Sequence, residues 1–540
     1  MIEVPVMIAG GGPVGMTLAL ELASHQIPSL IAERNVSTTS HPKMDLTNGR
    51  SMELFRRIGI ADKLRAVGVP VEHVFDISWV SRLSGHELHR FKYPSAAEAM
   101  LQRRQCNDGT LTLEPPLRVS QIVIEPVLKQ AAEESALVDV RFGWKFESFE
   151  QDDSGVTSVL RNVRSGEEQK VRSKYLVGCD GGGSTVRAQL GIQNEGTPNV
   201  ANMYMIHFRS SAVHLLQRFG IAWHYQTGDG ALVAQDDVDT WTLHTFWPPE
   251  VDRSMLNPGE VLENWVGSKF DYEILVANPW SAHYLLAEQF RKGRAFICGD
   301  ACHQYMPTGG YGMNSGVADA SNLGWKLAAV LQGWGGDTLL NSYEAERRPV
   351  DRLSWATSEE HLKVRFALGE LYAQAGDISG DTPEAEQRRA EMGQKIAALG
   401  NAENEGWGIE HGYRYGQSPV VWVESGSPPE FDALAYTPST WPGSRLPHMF
   451  LADGTAVYDH LGNGLTLLVL DKDADTKGLE AAARRLEVPL TVLRLNDINV
   501  ARVYERKLLL VRPDQHVAWR GDALDADAER LLRVVTGREH

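Results

Sequence analysis

The run Val4-Pro5-Val6-Met7-Ile8-Ala9 stops at Gly10-Gly11-Gly12, and this passage from apolar run to glycines constrains the chain more than any other stretch. Leu18, Leu20, Leu22 and Ala23 carry a helical pattern to Ser24-His25, and Ser29-Leu30-Ile31-Ala32 reads as a second strand closed by Glu33. Strand, glycine turn, helix and strand make a βαβ unit, the opening of a Rossmann-like α/β domain. Gly10, Gly12 and Gly15 stand in G-x-G-x-x-G spacing around Pro13 and Val14. At such a turn a helix N-terminus receives a pyrophosphate, and Glu33 lies about 20 residues on, where a carboxylate meets an adenosine ribose. The spacing alone is weak evidence. Between a strand and a helix, with Glu33 and Arg34 following, it predicts dinucleotide binding.

Far along the chain, Arg294-Ala295-Phe296-Ile297-Cys298 reads as a buried strand and runs into Gly299-Asp300-Ala301-Cys302-His303. The loop Pro307-Thr308-Gly309-Gly310-Tyr311-Gly312-Met313-Asn314 then feeds an amphipathic helix. A glycine-rich loop lets backbone approach a flat ligand, and a helix N-terminus stabilises negative charge placed against it. Asp300 as a plain helix cap is the competing reading, but a cap has no use for the glycines after it.

At 540 residues the chain is expected to hold two or three domains. Its 43% hydrophobic and 23% charged residues are those of a globular protein, and no apolar run is long enough for a membrane span. The N-terminus lacks a basic region before its apolar run, so that run is expected to be a first strand and not a signal peptide. A net charge of −17 excludes a phosphate-neutralising surface, so nucleic acid is not an expected partner. Four cysteines (Cys106, Cys179, Cys298 and Cys302) suggest no disulfide framework and fit a reducing cytoplasm. Cys298, Cys302 and His303 lack a fourth ligand at recognisable spacing, so no metal is expected.

Ser51 to Leu64 reads as a helix, Val74 to Tyr93 as strand-like, Ile122 to Ala132 as a helix, and residues 138–178 as further strands. Residues 200–285 hold short aromatic strands, among them Ile221-Ala222-Trp223-His224-Tyr225 and Trp241 to Trp247, and suggest an inserted antiparallel sheet. Residues 375–430 turn to Gly, Glu, Asp and Pro, the composition of a linker or loose excursion. After Pro442-Gly443, strands at 465–470, 490–493 and 508–511 flank a helix at 479–486, a small α/β unit. The expected plan assigns 1–75, 100–195 and 290–370 to the nucleotide domain and 76–99 with 196–289 to the inserted sheet. It leaves 371–435 as the excursion and 436–540 as the C-terminal domain.

Four segments stand in one order: Gly10-x-Gly12-x-x-Gly15; Arg118 with Gln121 ahead of a helix; Cys179-Asp180-Gly181-x-x-Ser184-x-x-Arg187; and the Gly299-Asp300 loop. Together they resemble the flavoprotein aromatic hydroxylases, the single-component FAD monooxygenases, over residues 1 to about 360. Gly443-Ser444-Arg445-Leu446-Pro447-His448 and the run Val511 to Arg520 resemble the thioredoxin-like tail of the phenol hydroxylase-like branch. No cysteine lies beyond Cys302, so the tail's implied role is structural or oligomeric, which leaves a homodimer open. The resemblance implies FAD held by Gly10, Gly12, Pro13, Val14, Gly15, Glu33, Arg34, Arg118, Gln121, Asp180, Gly181 and Asp300. Around the isoalloxazine it implies Pro307, Gly310, Gly312, Met313 and Asn314, with Arg50 serving FAD binding or flavin positioning. NADPH or NADH is the implied reductant, with no separate domain for it. For Asp180 a turn cap, and for Arg187 a surface ion pair, remain alternatives.

In this family a flavin hydroperoxide hydroxylates an electron-rich ring, so the protein excludes water and helps to deprotonate a phenol. Asp45, in Met44-Asp45-Leu46-Thr47-Asn48-Gly49-Arg50, resembles the active-site aspartate of that branch and is the candidate base, with a raised pKa as a partly buried carboxyl. A turn cap is its bland alternative. Trp223, Tyr225, His244, Phe246 and Trp247 suit a pocket for a small aromatic substrate or simply a core. Tyr311 departs from the residues usual in that loop, a departure expected to bear on the flavin environment or the substrate pocket. The leading expectation is hydroxylation of a phenolic or polycyclic aromatic compound with dioxygen. Baeyer–Villiger insertion or oxidative decarboxylation is the alternative, and a flavin-binding redox sensor the weakest.

Overall fold

The N-terminal apolar run forms the strand Ile2–Ala9 at the centre of a sheet built from three separate stretches of the chain. Ser29–Glu33 and Glu168–Gly178 flank it in parallel, Val138–Phe142 and Ala295–Ile297 extend the parallel order, and a hairpin over residues 144–162 adds antiparallel strands beside Glu168–Gly178. Parallel strands buried on both faces read as unbroken apolar runs, as Val6 to Ala9 do, all of them excluded from solvent. The structure is a computed structural model and describes residues 1–247, 251–252, 255–524 and 527–539.

A second eight-stranded sheet holds, in order, His303–Gln304, Glu273–Ala287, Asn194–Arg209, Thr240–Phe246, Gly230–Ala234, His224–Gln226, Ile77–Val80 and Glu87–Phe91. It is antiparallel except where His224–Gln226 pairs with Ile77–Val80. The short strand His303–Gln304 comes directly after the Gly299-Asp300 loop, so the two sheets meet at that loop.

The C-terminal sheet has the order Leu490–Arg494, Leu465–Val469, Leu508–Val511, Val517–Gly521, with only the third strand antiparallel to its neighbours. That is a thioredoxin-like arrangement. Its core is shared: Trp325, Ala329 and Leu339, from the helices Tyr311–Leu331 and Asp337–Gln374, and Trp334, from the turn between them, pack with Leu465, Leu467, Leu531 and Leu532. A buried ionic seam adds to this. Arg512 reaches Glu346 at 2.6 and 2.8 Å, and Lys326 reaches the same carboxylate at 2.6 Å.

Two local expectations differ from the structure. The helix read over Ser51–Leu64 is two helices, Gly49–Arg57 and Ala61–Arg65, parted at Gly59, whose φ of +75° ends the first. The stretch 371–435, read as a loose excursion, carries the helix Pro383–Leu399, capped by Thr382. Its buried Ala385, Met392 and Ile396 recur on one face, and the last two pack with Trp79 and Leu368. A composition rich in Glu and Gly concealed that stripe.

Candidate active site

A cavity of about 990 Å³ runs from the first glycine turn to the aromatic strands of the second sheet. At one end lie Gly10, Gly12, Pro13, Val14, Glu33, Arg34, Gln121, Asp180 and Gly181; Asp300, Pro307, Gly310, Gly312 and Met313 come next. The glycines differ in purpose. A Cβ on Gly10 would stand 2.2 Å from Cys179 O and one on Gly15 2.1 Å from Gly10 O, so both permit close backbone crossing. Gly12, Gly181 and Gly312 have open space where a Cβ would point, and all three line the cavity.

Two helix N-termini face this space. Gly12 caps Pro13–Ser24, and Gly310 caps Tyr311–Leu331. Each supplies partial positive charge for an anion. Glu33 holds the first turn, accepting from Gly11 N–H at 2.9 Å and from Asn35. Asp180 is indeed a cap, bonded to Ser184 Oγ and the Thr185 and Val186 amides, while lining the cavity as well. Arg187 is no surface pair: it donates to Ala301 O at 2.8 Å and Gly182 O at 2.7 Å, tying two of the ligand-facing loops together.

At the other end lie Asp45, Met203, Met205, Trp223, His224, His244, Phe246, Trp280, Arg365 and Glu403. Asp45 Oδ2 accepts from Trp223 Nε1 at 2.6 Å and stands 3.2 Å from His224 Nε2. Burial pushes the Asp45 carboxyl up, but His224 and Trp223 together outweigh it and hold the group below its usual range. The raised value expected for a buried base is therefore corrected. Burial lowers His244 to about 4, against the pull of Asp45.

Several residues expected at the site do not line it. Arg50 bonds to Gln515, to Asp514 O at 2.7 Å and to Glu53, and so grips the C-terminal domain. Arg118 pairs with Asp237 at 2.7 Å beneath the second sheet. Tyr225 is core, donating to Gly220 O at 2.6 Å, and Trp247 packs with the same cluster. Asn314 bridges instead: its amide donates to Gly310 O and Leu46 O and accepts from Asn48 N–H, which binds the glycine loop to the Asp45 segment. Tyr311 turns away from the cavity, with its hydroxyl 2.9 Å from His361 Nε2. His224, Arg365 and Glu403 went unselected in the sequence, because nothing in local spacing joins His224 to a partner 179 residues away.

An FAD binding domain model matches residues 3–357, and an aromatic-ring hydroxylase C-terminal model matches residues 439–538. The chain belongs to the FAD-dependent aromatic-ring hydroxylases. This hydroxylase is 40% identical to the FAD-dependent monooxygenase apdD of Emericella nidulans, over 98% of the chain and 90% of that protein. Among solved structures, the rebeccamycin biosynthetic enzyme RebC with reduced flavin shares 34% identity at a TM-score of 0.88, with all of both chains covered. The flavin-dependent monooxygenase PieE, in complex with FAD and substrate, shares 30% at 0.87, again over both whole chains. The hydroxylase's own residues fit FAD. The open glycines leave room for the diphosphate against a helix N-terminus, and the second helix N-terminus stands where a flat ring system would end. Among the described residues no helix is long and apolar enough to cross a membrane.

Proposed function

We propose that this hydroxylase adds oxygen to a phenolic or polycyclic aromatic ring held between Phe246, Trp223 and the Asp45–His224 pair, using NAD(P)H and dioxygen. The observation that carries the reading is the continuity of the cavity from the glycine cradle to this aromatic end. Its volume of about 990 Å³ lies at the top of the range of about 300–1,000 Å³ for small-molecule sites, which suits a cofactor and a substrate side by side. The chemistry supplied by bound FAD is the passage of electrons from NAD(P)H to dioxygen, one atom of which enters the ring.

The chain's residues supply the rest. Gly12, Gly181, Glu33 and Asp300 would hold the cofactor, and Gly310, Gly312 and Met313 line the part of the cavity that would receive its ring system. Met203, Met205, Phe246 and Trp280 form apolar walls that exclude water around the reacting ring. Asp45, Trp223 and His224 form the polar set that meets a substrate hydroxyl. The four cysteines are all unpaired, which supports a cytoplasmic setting.

The test is oxidation of NADH and NADPH by FAD-loaded protein across a panel of phenols, naphthols and hydroxyanthraquinones, with product structures by NMR. A ring hydroxyl in the product is the expected result. Reductant consumption unchanged by every aromatic, or a ring-expanded lactone as product, would refute the reading.

A further inference from the structure

His224 has two nitrogens in two different situations. Nε2 faces the Asp45 carboxylate at 3.2 Å, whereas Nδ1 faces Gln226 Nε2 at 3.4 Å, the outer limit of a hydrogen bond. Gln226 lies two residues along the same strand, so both side chains stand on one face of it. The Gln226 side chain is buried, and its Oε1 has no hydrogen-bond partner. A buried acceptor without a donor is costly and calls for an explanation.

Two states of the imidazole account for these contacts. When neutral, with its proton on Nε2 toward Asp45, the ring has a lone pair at Nδ1 that the Gln226 amide nitrogen covers. When cationic it donates from both nitrogens, and a half-turn of the amide brings the unpartnered Oε1 to Nδ1. The side chain of His224 lines the cavity, 15% exposed.

We propose that His224 is the base that takes the hydroxyl proton of the substrate, with Asp45 as the positioning residue that holds Nε2–H and stabilises the imidazolium. This rests on the reading of the cavity as an aromatic hydroxylation site. In the step the substrate O–H bond breaks and the proton bonds to Nδ1 in place of the long Gln226 contact. The electron pair stays on oxygen, giving a phenolate that enriches the ring, and Gln226 turns to accept from Nδ1–H. Asp45 is poorly placed to take the proton itself, because its Oδ2 already accepts from Trp223 Nε1 at 2.6 Å and faces His224 Nε2. The neighbouring titratable groups leave His224 as the available base. His244 on Thr240–Phe246 and His207 on Asn194–Arg209 are both lowered by burial, and Arg365 pairs with Glu403.

The test is H224Q, with H224N beside it in case one variant fails to take up FAD. The binding probes are 4-nitrophenol and alizarin, whose neutral and ionised forms differ in colour. Below the probe's own pKa, wild-type protein should bind at least one of them as the anion and the variants as the neutral form. In turnover, a weakly acidic phenol is compared with one already ionised at the assay pH. The variants should slow the first about 10²- to 10⁴-fold, leave the second within about threefold, and recover as pH approaches the first substrate's own pKa. Equal losses on both substrates, loss on neither, or a wild type that binds no probe as its anion would each overturn the proposal. A wild type that takes up FAD and hydroxylates no phenol would overturn the underlying reading instead.

Discussion

Glu53→Gln is the most quantitative probe of how the C-terminal domain is held against the flavin-binding half. The Glu53 side chain is 0% exposed and accepts from Leu113 N–H at 2.6 Å, from Arg445 Nε at 2.9 Å and a second Arg445 nitrogen, and from Arg50 Nη1 at 3.2 Å. Burial pushes its carboxyl up, but Arg445, Arg50 and the Leu113 amide hold it at about 2, against 4.5 for an unperturbed glutamate. A carboxyl lowered in the folded state contributes stability that is complete above its unfolded value and disappears as pH falls from 4.5 toward 2. The gap corresponds to about 3 kcal/mol at neutral pH. Neutralising one member of a buried pair costs about 3–5 kcal/mol by an independent route, because the surviving charge stays buried. With an unfolding entropy of about 2 cal/mol/K per residue, the loss becomes a Tm lower by about 3 °C when the whole chain melts together. Urea unfolding and calorimetry of the FAD-loaded protein near neutral pH measure both quantities. Glu53→Met combined with Arg445→Met should recover part of the loss, since apolar packing replaces the Glu53–Arg445 pair while Arg50 keeps its bonds to Asp514 O and Gln515. A loss below about 1 kcal/mol in E53Q, the level of a solvent-exposed pair, or a double variant less stable than E53Q would refute the reasoning.

Gly12→Asp should leave the melting temperature of FAD-free protein unchanged, since its Cβ points into open space, yet weaken FAD binding at least about tenfold by placing a carboxylate beside the diphosphate; fluorescence titration with FAD checks this. Burial lowers His244 to about 4, His448 and His516 to about 3, and His411 well below its ordinary value, whereas burial raises Glu410 to about 8 and, with Asp319, raises Asp351 to about 7. At about pH 6.5 the half-protonated histidines of the unfolded chain are offset by the protons that the fold holds on Glu410, Asp351 and His303, the last raised to about 9 by Asp351 and Asp319. As pH falls to about 5 the unfolded chain comes to bind about two more protons net, and stability falls with increasing slope, reaching about 3 kcal/mol per pH unit near pH 5. Thermal melts stepped through that window should show a steadily falling Tm, and a flat profile would contradict it. A chain ending at residue 438 loses the strands that cover Trp325, Trp334 and Leu339, and should aggregate; a soluble truncated protein that still takes up FAD would show that the shared core is dispensable.

The sequence by itself determined the parts whose physics is local. A glycine turn between an apolar strand and a helix has few conformations available, so Gly10, Gly12 and Gly15 announced the anion-binding turn, and the Gly309–Gly312 loop announced a second helix N-terminus. Alternating apolar runs likewise announced the C-terminal α/β unit. Tertiary structure decided everything that depends on residues meeting from far apart. Arg50 and Arg118, placed at the cofactor by resemblance, are drawn instead to Glu53, Gln515 and Asp237, because a buried guanidinium goes where carboxylates and carbonyls satisfy it. The helix Pro383–Leu399 forms where composition suggested a linker, because only its buried stripe, and not its average polarity, meets the core. Asp45 was legible as a candidate and its chemistry was not. The partner that lowers its pKa arrives on a strand whose sequence says nothing of it, and sheet pairing across the fold brings His224 to that carboxylate.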